Sequence, residues 1–249
     1  MRPTQQSSDA TVARGDTFVT THWTVVLTAG RSDTTHARAA LESLCQIYWY
    51  PLYAYARRRG HSPPDAEDLT QGFFARLLKL NSLADVRREK GKFRAFLLAS
   101  MNHYIADEWD RARAQRRDVR RTISLDAGAA ETRYRREPAD QLTPERLFER
   151  QWALTLLETV VQRLRREYEA DGKGELFMQL RFAITGDKSA VPYTDLAGCV
   201  GMSEEAVRVA VHRLRRRYRQ LLREEIAHTV VNEDEVADEL QSLRRILSS

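Results

Sequence analysis

An all-α chain is what this sequence predicts: two small helical domains joined by a flexible linker, the second carrying a helix-turn-helix. Three observations lead there. Apolar residues recur at three- and four-residue spacing along most of the 249 positions, and the first half shows no convincing strand alternation. Proline, glycine and threonine punctuate those runs where helix starts and stops belong. The stretch from Tyr193 to Arg223 reads as a helix, a tight turn and a long basic helix.

Taken in order, residues 1–19 form a polar tail expected to be disordered. Residues 20–121 form the first domain. His36 to Arg58 carries Leu41, Leu44, Tyr48, Leu52 and Tyr55 near helical spacing, with Pro51 expected to kink or divide the helix. Pro63 and Pro64 lead into a helix from Asp65 to Leu80 whose inward face is Leu69, Phe73 and Leu77. The next helix, Lys92 to Arg117, has Phe93, Leu97, Tyr104 and Trp109 on its apolar side. Their register assigns these aromatics to the core rather than to base stacking.

Residues 122–142 mix Gly128, Pro138 and charges with few large apolar groups, the composition of a linker. The second domain, 143–228, starts at Thr143-Pro144-Glu145, an N-cap threonine followed by proline in the first turn. Trp152, Leu156, Val160 and Leu164 continue that helix until Gly172 and Gly174, and Leu176 to Ile184 gives another. Residues 229–249 form an amphipathic extension. Asn232 and Glu235 make its capping box, and Val236, Leu240, Leu243 and Leu247 make its stripe. That stripe needs cover, either from a regulatory partner or from the local core, and both remain open at this point.

The segment Tyr193–Arg223 points to DNA. Gly201 supplies the positive φ of a sharp connection, and Ser203 suits an N-cap, with Glu204 and Glu205 complementing the helix dipole. Met202 and Val207 are spaced for a hydrophobic staple. Val207, Val211, Leu214, Tyr218 and Leu221 share one stripe, while Arg208, His212, Arg215, Arg219 and Arg223 share another face, with no acid between Arg208 and Arg223. One edge packs and the other offers cations, as a recognition helix requires.

Composition sets the outer limits. A net charge of +5 leans mildly toward polyanions, and 42% apolar with 30% charged residues suits a water-exposed helical protein with real cores. Cys45 and Cys199 stand alone, without the spacing of a disulfide framework or a zinc site. No Walker loop, HExxH or paired histidine marks an enzyme, so no catalytic residue, metal or cofactor is expected. No apolar run suggests a signal peptide or membrane span, and the expected location is the cytoplasm.

Two further motifs narrow the DNA reading. Asp65-Ala66-Glu67-Asp68-Leu69-Thr70-Gln71 crowds carboxylates at a helix start. Phe93-Arg94-Ala95-Phe96-Leu97-Leu98-Ala99-Ser100-Met101-Asn102 continues to the basic run Arg111, Arg113, Arg116 and Arg117. In this order, with a linker and a helix-turn-helix after them, they resemble the extracytoplasmic-function group of bacterial RNA polymerase sigma factors, over about residues 20–227. The resemblance implies a first domain that holds core polymerase and opens the −10 element, and a second that binds the −35 element. It implies Asp65, Glu67, Asp68, Leu69 and Gln71 as the polymerase contact. For −10 DNA it implies Asn102, which would capture a flipped base, with His103, Arg111, Arg113, Arg116 and Arg117 as further contacts. For the −35 element it implies Arg208, Val209, His212 and Arg213 as major-groove readers, with Arg215, Arg216 and Arg219 at phosphates. The implied partners are core polymerase and promoter DNA, with an anti-sigma or signalling protein as a further candidate. Departures from the pattern are Ala210 in place of an arginine, Val209 in place of a small hydroxyl residue, and Leu164-Arg165-Arg166-Glu167 before the turn. The long loop from Thr185 to Pro192 and the extension after His228 are departures too.

Two other readings compete. A stand-alone helix-turn-helix regulator would bind operator DNA without polymerase. A helical nuclease would need metal-dependent cleavage resting on Asp65 or Asp68.

Overall fold

The computed structural model describes residues 35–79, 93–114, 127–136, 142–185, 192–230 and 233–248. These residues are predominantly helical, and no strand occurs among them. The first helices are α1 (Thr35–Arg58), α2 (Pro63–Lys79) and α3 (Phe93–Ala114). A short α4 (Ala127–Arg135) follows, then the long α5 (Pro144–Ala170). Next come α6 (Gly174–Leu180), α7 (Phe182–Thr185), α8 (Tyr193–Val200), α9 (Glu204–Ala227) and α10 (Glu233–Ser248).

Helix α1 runs through Pro51 without dividing. Proline removes one backbone donor, but Tyr48, Leu52, Tyr53 and Tyr55 around it are all buried. Tertiary burial here outweighs the lost hydrogen bond. Phe73 and Leu77 of α2 are buried as their spacing requires, and Phe93, Leu97, Met101, Tyr104 and Ile105 of α3 join the same core. Trp109 does not. It is 59% exposed, because burial along α3 ends at Ile105.

Segment 122–142, read as a linker, contains α4. Two of its charges, Glu131 and Arg133, look solvated in sequence but have partners across the core. Glu131 accepts from the Tyr53 hydroxyl at 2.7 Å and from Arg57 Nε at 3.0 Å. The Arg133 guanidinium lies 4.0 Å from the Tyr50 ring centre.

Helix α5 belongs to two cores. Thr143 caps it, accepting from the Arg146 amide, with Pro144 in its first turn. Its 27 residues make it about 40 Å long. Leu147, Phe148, Trp152, Ala153 and Leu156 pack with α1–α4, while Val160 and Leu164 pack with α6, α8 and α9. The extension settles one open question: Val236 and Leu243 of α10 are buried in the first core together with Ile226 and Val230. Most of the stripe is covered from within the chain: Leu240 packs partly against the same core, while Leu247 stays 44% exposed. Glu239 of α10 reaches α3, accepting from Arg94 Nε at 2.7 Å and Nη2 at 3.3 Å, with the Arg94 guanidinium 4.7 Å from the Trp152 ring centre.

Candidate nucleic-acid and polymerase interface

The carboxylates of α2 sit where the sequence puts them. The Ser62 hydroxyl accepts from the Asp65 amide at 3.3 Å and donates to the Asp65 carboxylate at 2.6 Å, which fixes the helix start. Asp65 and Asp68 are exposed, while Glu67 is half-buried and accepts from Gln71 Nε2 at 2.9 Å. Leu69 is half-buried against the core and gives this face its anchor. The result is an acidic edge at the positive end of a helix dipole, open to a basic surface.

Asn102 lies at a junction that the sequence did not reveal. Its Oδ1 accepts from the Tyr55 hydroxyl at 2.6 Å and from Arg59 Nη1 at 2.5 Å. Together with Arg59, His61, Ile105, Ala106, Trp109 and Asp110, Asn102 lines a surface pocket of about 350 Å³. Arg59, His61 and Trp109 were missed in sequence as members of this site. The first two stand more than forty positions from Asn102, and Trp109 looks like core by register. The His61 pKa is held below its ordinary value, first by burial and then by the neighbouring Arg59 charge. The pocket therefore offers an aromatic face, an amide, a cation, the Asp110 carboxylate and an imidazole biased toward its neutral form.

The other cations of α3 are less convergent. His103 is exposed. Arg111 is exposed and paired with Glu108 at 2.5 Å. Arg113 lies on α3, but its side chain lies outside the described residues, as do Arg116 and Arg117 entirely.

At the carboxy-terminal side, α8 ends at Gly201 with φ 65°, and the Ala197 carbonyl accepts from its amide. The Ser203 hydroxyl caps α9 by accepting from the Ala206 amide at 3.2 Å. Val207, Val211, Leu214 and Leu221 are buried as the stripe requires, and Tyr218 packs at their edge. The opposite face exposes Arg208, Val209, His212, Arg213, Arg215, Arg216, Arg219 and Arg223. Arg208 is drawn to Glu204 at 2.6 Å and lies 5.6 Å from the Tyr193 ring centre. Arg215 Nε donates to the Ala183 carbonyl at 2.9 Å, tying α9 to α7. Among the described residues no carboxylate forms an ion pair with Arg213, Arg216, Arg219 or Arg223. Arg217 has a different job. It holds both Glu167 oxygens at 2.7 Å, fixing α9 on α5, and this guanidinium lowers the Glu167 pKa.

Residues 48–115 match the family model for sigma-70 region 2. The match supports a member of the sigma-70 family. It contains both the acidic edge of α2 and every residue of the Asn102 pocket, and it points to binding of RNA polymerase and recognition of promoters. Comparison with curated proteins and with solved structures gave no match. Among the described residues no helix is long and apolar enough to cross a membrane.

Proposed function

We propose that this chain is a sigma factor of the extracytoplasmic-function type, which docks on core RNA polymerase in the cytoplasm and directs it to a two-part promoter. The observation that carries the reading is the pocket around Asn102, inside the segment matched to sigma-70 region 2. The exposed Trp109 ring suits stacking on an unpaired base, worth about 1–3 kcal/mol, and Arg59 suits the backbone beside it. The acidic edge at Asp65 and Asp68 is the polymerase contact, with Glu67, Leu69 and Gln71 shaping it. Helices α8 and α9 act as the helix-turn-helix. Arg208, Val209, His212 and Arg213 read the −35 element in the major groove, and Arg215, Arg216 and Arg219 hold phosphates. Arg208 must leave Glu204 to do so, a modest cost for an exposed pair. The protein itself catalyses nothing and needs no cofactor; it supplies binding energy to the polymerase reaction.

The exposed cations of α9 would also suit a stand-alone regulator. That reading leaves the acidic edge and the pocket without work. Band shifts on promoter fragments separate the two. A sigma factor binds weakly alone and specifically once core polymerase is added, whereas tight specific binding without polymerase would favour the regulator.

A further inference from the structure

The hydrogen bonds around Asn102 fix which way its amide faces. A guanidinium carries donors only, so the amide atom 2.5 Å from Arg59 Nη1 must be the oxygen, and a flipped amide would set donor against donor. The Tyr55 hydroxyl adds to the lock. It lies 3.4 Å from Arg59 Nη1, from which it accepts, and it donates to Asn102 Oδ1 at 2.6 Å. The two lone pairs of Oδ1 are thus both engaged by the protein. Among the described residues no acceptor meets the Asn102 Nδ2 group. What Asn102 has left to offer is a pair of donors.

We infer that Tyr55 and Arg59 are positioning residues that make Asn102 a donor-only reader of a captured base, selecting an edge with two adjacent acceptors and rejecting adenine. This rests on the base-capture reading of the pocket and adds its selectivity. An unrestrained asparagine pairs with adenine through an acceptor and a donor together, meeting N6–H and N7. The locked amide cannot accept from N6–H, so adenine forfeits half of that pair and leaves a desolvated donor unmet. Cytosine presents O2 beside N3, and guanine presents O6 beside N7, so each matches two donors. Adenine and thymine place a donor next to every acceptor on their pairing edges. At Asn102 itself, the amide sorts cytosine and guanine from adenine and thymine by the polarity of hydrogen bonding.

Tyr55 makes this testable, because it is 1% exposed and cannot itself touch nucleic acid. Holoenzyme assembled from the full chain and core polymerase is offered templates with a pre-melted −10 segment carrying each base in turn in the non-template strand. The relevant position is the one where Asn102→Ala flattens the base preference. Wild type disfavours adenine there by about tenfold against the better of cytosine and guanine, the lower end of what one base contact discriminates. Tyr55→Phe weakens that preference, and Tyr55→Phe with Arg59→Met, which frees Oδ1, brings adenine to parity or better while core binding stays unchanged. A double variant that folds, binds core and still rejects adenine like wild type overturns the lock. If no base identity matters even in wild type, or no holoenzyme forms, base capture itself is wrong and the inference falls with it.

Discussion

Replacing Glu239 with alanine should destabilise the fold far more than an acidic residue on a terminal amphipathic helix ordinarily would. The Glu239 side chain is 2% exposed and that of Arg94 9%, and they are joined by bonds of 2.7 and 3.3 Å. Burial also pushes the adjacent Tyr48 hydroxyl pKa up, with the Glu239 charge as the second cause, so this corner has little water to screen it. Removing one partner of a buried pair costs about 3–5 kcal/mol, because the other charge stays behind. Arg94 keeps Glu149 at 2.9 Å, but the Glu149 side chain is 43% exposed and compensates only in part. The expected loss is therefore about 3 kcal/mol, or roughly 6–12 °C in Tm for a chain of this size. Urea titration followed by circular dichroism measures it, with Glu149→Ala as the exposed counterpart, expected to cost under about 1 kcal/mol. Arg94→Met with Glu239→Leu should recover most of the loss, since a packed apolar pair replaces the ions. If Glu239→Ala costs no more than Glu149→Ala, the pair does not hold α10 on α3 and α5 as described.

Three other outcomes follow from the same geometry. Gly72→Ala adds a methyl against the Tyr104 hydroxyl and should destabilise by about 1–3 kcal/mol despite its better helix propensity; Tyr104→Phe should relieve most of that, and thermal melts of the three variants decide it. Glu131 has its pKa lowered to about 2, chiefly by Arg57. A depressed carboxyl stabilises the fold fully above the ordinary value of 4.5 and loses that contribution as pH falls toward 2, so Glu131→Gln should flatten the acid arm of the stability profile over that window. Arg216→Ala should weaken promoter binding about equally across sequences and reduce the salt slope by about one, whereas Arg208→Ala should relax base choice, as a salt series of band shifts would show.

The contrast between α9 and the Asn102 pocket shows what a sequence can convey. At Gly201, Ser203 and the Val207–Leu221 stripe, each signal sits within a turn or two of its effect, so capping and periodicity carried the fold of that segment. The pocket depends on Tyr55 and Arg59 meeting Asn102 across 47 and 43 positions, which no local pattern encodes. Helix α4 was hidden because Glu131 and Arg133 look like linker charges until Arg57 and Tyr50 are opposite them. Glu239 was hidden in the same way, its partner lying 145 positions away. Trp109 was misassigned because a helical stripe gives register without saying where the neighbouring helices stop.

Run-off transcription with purified core polymerase on a genomic library decides whether this chain selects where the polymerase starts. Initiation from a defined set of start sites is expected only when the chain is present, and is expected to be lost when Asp65 and Asp68 are changed to lysine in a protein that keeps its helix content. Equal initiation without the chain, or start sites that survive that charge reversal, would contradict it.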